Sequence, residues 1–387
     1  RRYDSASVAL DKQLKEELSG TGIEVRSSNG SLLNEPWRVT TRTGQPMKVF
    51  TPYWRAARER GEPDAPVPAP SRLQAPVLPP SFGATLHRLA ALALEPTEPD
   101  WAGGLRETWT PGESGARERL DDFLDGALSG YALGRDRPDR ASTSRLSPHL
   151  RFGEISPRQI WHALGTARET ARAAGSAADS EKFLSELGWR EFSYHLLFHN
   201  PGLGVRNYDE RFDLFPWRLD AEAQHRWQSG QTGVPIVDAG MRELWATGWM
   251  HNRVRMVAAS FLTKHLLQDW RTGEAWFWDT LVDADPANNA ASWQWVAGSG
   301  ADAAPYFRIF NPVTQGETHD PRGDYIRRWV PELAKLPAKD IHQPWKASAS
   351  ALGEAGIRIG ETYPAPIVDL AFGRQRALAA FETIRNT

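Results

Sequence analysis

The chain has 387 residues, 24% of them charged and 40% hydrophobic, with a net charge of −2, which predicts two or three domains and a sizeable core. It has no cysteine, which excludes disulfides, thiolate catalysis and cysteine-bound metals, and its ten histidines form no HExxH pattern. No apolar run approaches the ~18 residues that a membrane helix needs, and the near-neutral charge excludes an all-basic surface but not a local basic patch.

The chain starts at Arg1 without a signal-peptide pattern and reads as the remainder of a longer protein. Val8, Leu10, Leu14 and Leu18 predict a first helix, closed by Gly20 and Gly22, and Ile23-Glu24-Val25 predicts a short strand after it. That αβ fragment fits the tail of a doubly wound sheet, although no GxGxxG accompanies it. A second helix is expected at Lys48-Val49-Phe50-Thr51-Pro52, with Thr51 as N-cap and Pro52 in the first turn. Glu62 to Pro80 carries seven prolines in 19 residues and reads as an extended linker. The expected division is 1–61 as the C-terminal part of an α/β domain, 62–110 as a linker, and 111–387 as a helical domain.

From Gly112 onward helical spacing dominates, beginning with Leu120, Phe123, Leu124 and Leu128. Ser147-Pro148 and Ser156-Pro157 are helix starts. Thr143 to Ser147 reads either as a capping loop or as a phosphate cradle of hydroxyls and free N–H groups. Along Phe183 to Leu197, Glu186, Trp189, Arg190 and Ser193 share one stripe. Glu186 and Arg190 are then a surface ion pair or two polar groups lining a cavity.

Tryptophan is the outlier, with 17 residues against 8 tyrosines, and eight of the 17 lie between Trp227 and Trp295. They are core filler or site residues; for the cluster the second reading is favoured, because an indole wants both packing and a partner for its N–H. A helix is predicted from Trp249 to Trp270, with Asn252, Arg255 and Met256 on one face and Arg253 turned about 100° away. Asp283-Ala284-Asp285 before Pro286 has three readings: a helix cap, a divalent-metal pair, or acceptors for a bound cofactor. Metal is the least favoured, because the neighbouring side chains are amides and indoles.

Several motifs in order resemble the photolyase/cryptochrome family, most closely a class I cyclobutane-pyrimidine-dimer photolyase. They are Thr143-Ser-Arg-Leu-Ser-Pro, Trp189-Arg-Glu-Phe, Gly248-Trp-Met-His-Asn-Arg-Val-Arg-Met, Asp283-x-Asp285 with Asn288-Asn289, Trp293-Gln-Trp295, and Asp302-Ala-Ala-Pro-Tyr-Phe-Arg-Ile-Phe-Asn-Pro. The resemblance runs from about residue 40 to the C-terminus. It implies a mostly α fold, in which a large helical FAD-binding domain follows the remnant of a Rossmann-like α/β domain. FAD would work as the fully reduced anion; the antenna pattern is not matched, with Ala6-Ser7 in place of an Asn-Glu pair and no lysine near Gly204, so a second chromophore is unassigned. Phe183 stands where a close relative has tryptophan.

By the same resemblance, Tyr131, Thr143, Ser144, Arg145, Leu146 and Ser147 would hold the diphosphate and ribose side of FAD. Arg190, Arg255, Asp283 and Asp285 would surround the isoalloxazine, with Asn289 opposite its N5. Trp189 and Trp295 would clamp a flipped-out dimer, Glu186 would hydrogen-bond it, and Asn252 and Met256 would line its pocket. Trp293, Trp270 and Trp217 would relay electrons to the flavin, and Arg135, Arg253, Arg308 and Gln315 would face DNA. No metal is implied. The implied activity is light-driven repair of pyrimidine dimers in single- or double-stranded DNA, by a cytoplasmic monomer without a membrane partner. The alternative is a cryptochrome-type blue-light sensor; Asn289 disfavours it, since plant cryptochromes carry Asp and animal ones Cys there.

Overall fold

The computed structural model describes residues 1–74, 89–169, 177–303 and 307–385. Part of the proline-rich stretch, 75–80, and Ala304-Pro305-Tyr306 of the last motif therefore lie outside the described residues. The helices used below are α1 (Ser5–Gly20), α2 (Phe50–Arg58), α3 (Glu113–Asp122), α4 (Tyr131–Gly134), α5 (Ser147–Phe152), α6 (Pro157–Glu169), α7 (Ala177–His199), α8 (Ala221–Gln228), α9 (Pro235–Thr247), α10 (Asn252–Ser260), α11 (Trp270–Thr280), α12 (Asn288–Ala297), α13 (Pro312–His319) and α14 (Leu370–Ile384). Among the described residues there is no β-strand, only the isolated bridges Thr40–Pro46 and Ile359–Tyr363. The mostly helical expectation holds.

The strand expected at Ile23 to Val25 does not form, and Ile23 is exposed. A strand is stable only when a neighbour completes its hydrogen-bond ladder; among the described residues none pairs with this stretch. α1 forms as predicted, started by Asp4, whose carboxylate accepts the Ser7 N–H at 2.9 Å. Its Val8, Leu10, Leu14 and Leu18 are all exposed.

Two predicted helix boundaries move. α2 begins at Phe50 and not after Thr51, because its cap comes from outside: the Phe50 N–H donates to the distant Asp302 carboxylate at 3.2 Å. The predicted helix from Trp249 to Trp270 is interrupted at both ends. Gly248, at φ +66°, closes α9, and α10 starts only at Asn252, where His251 Nδ1 accepts the Arg253 N–H at 3.2 Å. α10 runs into a π-turn at Phe261–His265, the chain reverses at Leu267 (φ +59°), and Asp269 caps α11. At Ser156 the expected start is a reciprocal cap, with Ser156 and Gln159 each bonding the other's backbone N–H.

α7 is the axis on which the N-terminal segment and the helical body meet. Tyr3, Leu32, Val39 and Tyr53 share a core with Phe192, Leu196 and Leu197 of α7. Glu191 is buried and accepts the Leu33 and Asn34 N–H groups, both at 2.9 Å. Its pKa is pushed up to about 7 by burial, against the pull of those N–H groups and Arg190. A second core gathers around Trp227, Met250, Phe261, Trp270, Phe277 and Trp293.

His195 gives this junction a pH dependence. Its ring bonds the Pro36 carbonyl through Nδ1 at 3.1 Å and accepts the Met47 N–H on Nε2 at 3.0 Å, so the neutral ring is the one that fits. Burial, then nearby His199, lowers its pKa from 6.5 to about 4. Between pH 6.5 and about 4 the unfolded chain therefore takes up a proton that the folded one refuses. The contribution is full above pH 6.5 and is lost as pH falls, at up to about 1.4 kcal/mol per pH unit. Urea midpoints across this window are expected to fall, and His195→Gln to fall less steeply by one proton; parallel curves would refute the assignment.

Candidate active site

The buried length of α7 fixes the predicted stripe, but its polar members do not pair with each other. Glu186 takes two bonds from the Arg135 guanidinium, one of them at 2.9 Å, and lies 3.2 Å from Lys182. Arg190 instead donates to the Ser31 carbonyl at 2.6 Å and lies over Tyr194. Trp189 is half-buried and stacks on Phe50, with centroids 3.7 Å apart and planes 10° from parallel. Nothing in the sequence signals that stack, because Phe50 belongs to a helix start far from α7.

Asp302 joins this aromatic pair to the other predicted clamp residue. Its carboxylate accepts the Phe50 N–H, and its carbonyl accepts the Trp295 indole N–H at 3.1 Å. Arg308 stands over the Trp295 ring at 5.5 Å. On α10, Asn252 is exposed and its amide approaches Met256 Sδ at 4.0 Å, so the predicted shared face exists. Arg253 points elsewhere, to Asp136 at 2.9 Å. Arg135 and Arg253, both expected at DNA, are thus paired with acids. Gln315 keeps a buried side-chain oxygen without a partner among the described residues.

The Asp283/Asp285 alternatives separate by residue. Asp283 is buried and forms a two-pronged pair with Arg255, at 3.1 and 2.8 Å. Asp285 starts α12: it accepts the Ala287 and Asn288 N–H groups at 3.0 and 2.7 Å, together with the Tyr194 hydroxyl at 2.5 Å. Burial, then Asp285, pushes the Tyr194 pKa upward, so this phenol stays a donor. Among the described residues no group of three or more His, Cys, Asp or Glu is placed to hold a metal.

Trp249 lies between Arg145, at 4.6 Å, and Arg255, at 5.9 Å. It brings the Thr143–Ser147 loop to the Asp283 side. In that loop Arg145 has φ +50° and the Ser144 hydroxyl faces the Leu146 N–H at 3.5 Å. Leu146 is buried, whereas Ser147 is exposed at the start of α5. Tyr131 is buried and packs edge-on against Phe123 and Phe183, so phenylalanine at 183 is accommodated. Asn289 is buried and spends its amide NH2 on Glu274, bonding the backbone carbonyl at 3.0 Å and the side chain at 2.8 Å. Nothing in the sequence marks Glu274 as the partner of Asn289.

Trp293 and Trp270 are fully buried and Trp217 partly so. The Trp293 ring presses on Gly273, one turn along α11 from Trp270; a Cβ there would come within 2.2 Å of it. It also meets Phe277 and Trp227 edge-on, at 5.0 and 6.1 Å. Trp270 donates to Asn207 at 2.9 Å, and Trp217 packs on Phe215 at 4.4 Å.

Residues 183–383 match the FAD binding domain of DNA photolyase, and residues 1–71 match the DNA photolyase domain. The deoxyribodipyrimidine photo-lyase of Agrobacterium fabrum is 55% identical over 100% of this chain and 79% of its own length. This chain belongs to the photolyase/cryptochrome family. Cryptochrome-1 of Arabidopsis thaliana is 39% identical over 97% of the chain and 55% of its own length. A solved class III photolyase from Agrobacterium tumefaciens superposes with a TM-score of 0.94, at 55% identity, over 100% of this chain and 79% of that one. That relative is a class III photolyase, whereas the motifs of this chain resemble class I.

The photolyase-family chain has a donor set that fits FAD. The Thr143 and Ser147 hydroxyls take no partner among the described residues, as suits a phosphate cradle. Buried Asp283 and Asn289 and half-buried Arg255, which lies by the Trp249 indole, add polar groups of both signs, as suits a large aromatic ring with polar edges.

Proposed function

We propose that this protein repairs pyrimidine dimers in DNA in a light-driven reaction with FAD. The observation that carries the reading is the 55% identity along the whole chain to a deoxyribodipyrimidine photo-lyase. When bound, reduced FAD supplies the photoexcited electron that opens the cyclobutane ring. Tyr131 and the loop Thr143, Ser144, Arg145, Leu146 and Ser147 hold its diphosphate and ribose. Arg190, Arg255, Asp283, Asp285 and Asn289 hold its ring.

The protein's own task is to present the lesion. A dimer cannot be reached inside the duplex, so it is flipped out at a cost of a few kcal/mol, least for a damaged pair. Trp189 and Trp295 offset that cost by stacking, at about 1–3 kcal/mol per base. Asn252 and Met256 line the same pocket. Arg308 and Gln315 meet the backbone, and Arg135 and Arg253 join them where phosphate competes with Glu186 and Asp136. In this reading the protein is a cytoplasmic monomer acting on single- or double-stranded DNA. It is divided at 61 and 110 into an α/β remnant, a linker and a helical domain.

Glu186 is proposed to hydrogen-bond the dimer. A charged hydrogen bond is worth about 1.5–3 kcal/mol, so Glu186→Ala is expected to weaken dimer binding about tenfold to a hundredfold. The yellow flavin stays bound. A colourless variant would assign Glu186 a structural role instead. The deciding experiment is repair of thymine-dimer DNA under blue light by the FAD-reduced protein. A photoreducible protein that leaves the dimers intact would favour the blue-light sensor.

A further inference from the structure

Lys264 has no part in the site described above, yet its place is unusual. It lies in the π-turn that ends α10, is 0% exposed, and has no carboxylate partner among the described residues. Burial drives its pKa well below the ordinary lysine value. A lysine Nζ taken wholly out of water is costly unless its contacts compensate. Two such contacts exist. Nζ donates to the Ala297 carbonyl at 2.5 Å and stands 3.1 Å from the centre of the Phe307 ring.

Both contacts lead to the proposed DNA face. Ala297 is the last residue of α12, where carbonyls lack helical partners and the helix dipole favours a cation. Trp295 lies two residues earlier on the same helix. Phe307 precedes Arg308, which covers the Trp295 ring. The same π-turn region grips the other flank of this segment, because the Phe310 N–H donates to Ser260 Oγ at 3.2 Å. Arg308 and Ile309 thus lie between Phe307 and Phe310, both of which contact the end of α10. π-turns inserted in α-helices often sit at functional sites.

We propose that Lys264 is a positioning residue: by bridging the Ala297 carbonyl and the Phe307 ring, it sets Arg308 over Trp295 and thereby the affinity for dimer-containing DNA. This rests on the reading that Trp295 and Arg308 face the DNA. Phe307 also stacks on Phe381 at 4.4 Å and lies near Phe212 and Phe215. An apolar side chain at 264 therefore leaves a packed core, and replacing a buried charge by a hydrophobic group of similar volume is often neutral or stabilising.

The test uses FAD-loaded protein, a fluorescent thymine-dimer oligonucleotide and anisotropy at one salt concentration. Lys264→Met is expected to keep its flavin spectrum and a urea midpoint at or above wild type, yet to bind about tenfold more weakly. In an Arg308→Ala background the same change adds less than twofold, because it acts through Arg308. Wild-type affinity in Lys264→Met, or a full tenfold loss on top of Arg308→Ala, overturns the proposal alone. Wild-type affinity in Arg308→Ala overturns the DNA-face reading and the proposal with it. Phe307→Leu keeps the lysine and removes the ring. It carries the same expectations should Lys264→Met not fold, and additivity with Arg308→Ala overturns the proposal there too.

Discussion

Trp293→Phe is expected to abolish light-driven reduction of the bound flavin while leaving repair by chemically reduced protein close to wild type. Trp293 is 2% exposed, wedged against Gly273 on α11 and edge-on to Phe277. A phenyl ring keeps much of the apolar contact, so the packing cost stays near 1–2 kcal/mol. A phenyl group is far harder to oxidise than an indole, so the electron path through α11 is cut. Absorbance near 450 nm, followed under blue light with a thiol donor, reads the first effect; dimer repair after dithionite reduction reads the second. Trp227, buried 6.1 Å from Trp293, is the control. Its replacement by Phe should leave photoreduction intact, and loss of both functions in Trp293→Phe would make Trp293 a packing residue.

Arg255→Leu is expected to yield a colourless protein destabilised by about 3–5 kcal/mol, the usual effect of removing one partner of a buried ion pair. Asp283 has a 4% exposed side chain and receives two guanidinium bonds from Arg255. Arg255 also donates to the Met250 carbonyl at 2.7 Å, which fixes the start of α10. Adding Asp283→Asn removes the stranded charge and should restore much of the urea midpoint, whereas flavin binding stays lost. Recovery of flavin in the double variant would show that the pair is purely structural.

The i, i+3, i+4 spacing of Asn252, Arg255 and Met256 put them on one face, and the Asn252 amide does meet Met256. The same spacing on α7 suggested a Glu186–Arg190 pair that does not form, because Arg135 and Ser31 offer each a better partner. A helix start was one of three readings open for the Asp283/Asp285 pair, and it fits Asp285 alone. Asp283 was ambiguous, since its partner Arg255 lies on another helix. The strand at Ile23 failed because alternation records a preference that only a neighbouring strand can realise.

The sequence alone determined the helical class, the tryptophan-rich belt, the order of the family motifs and the shared face of α10. Each is a local property, written in backbone propensity and in the 3.6-residue repeat. Tertiary structure alone decided which charges meet. Glu186 goes to Arg135 and Arg253 to Asp136, Asp302 ties Phe50 to Trp295, and Lys264 is buried against Phe307. These contacts join residues far apart in the chain. Each is too weak to shape its own segment, so it leaves no periodic trace and appears only when packing brings the helices together.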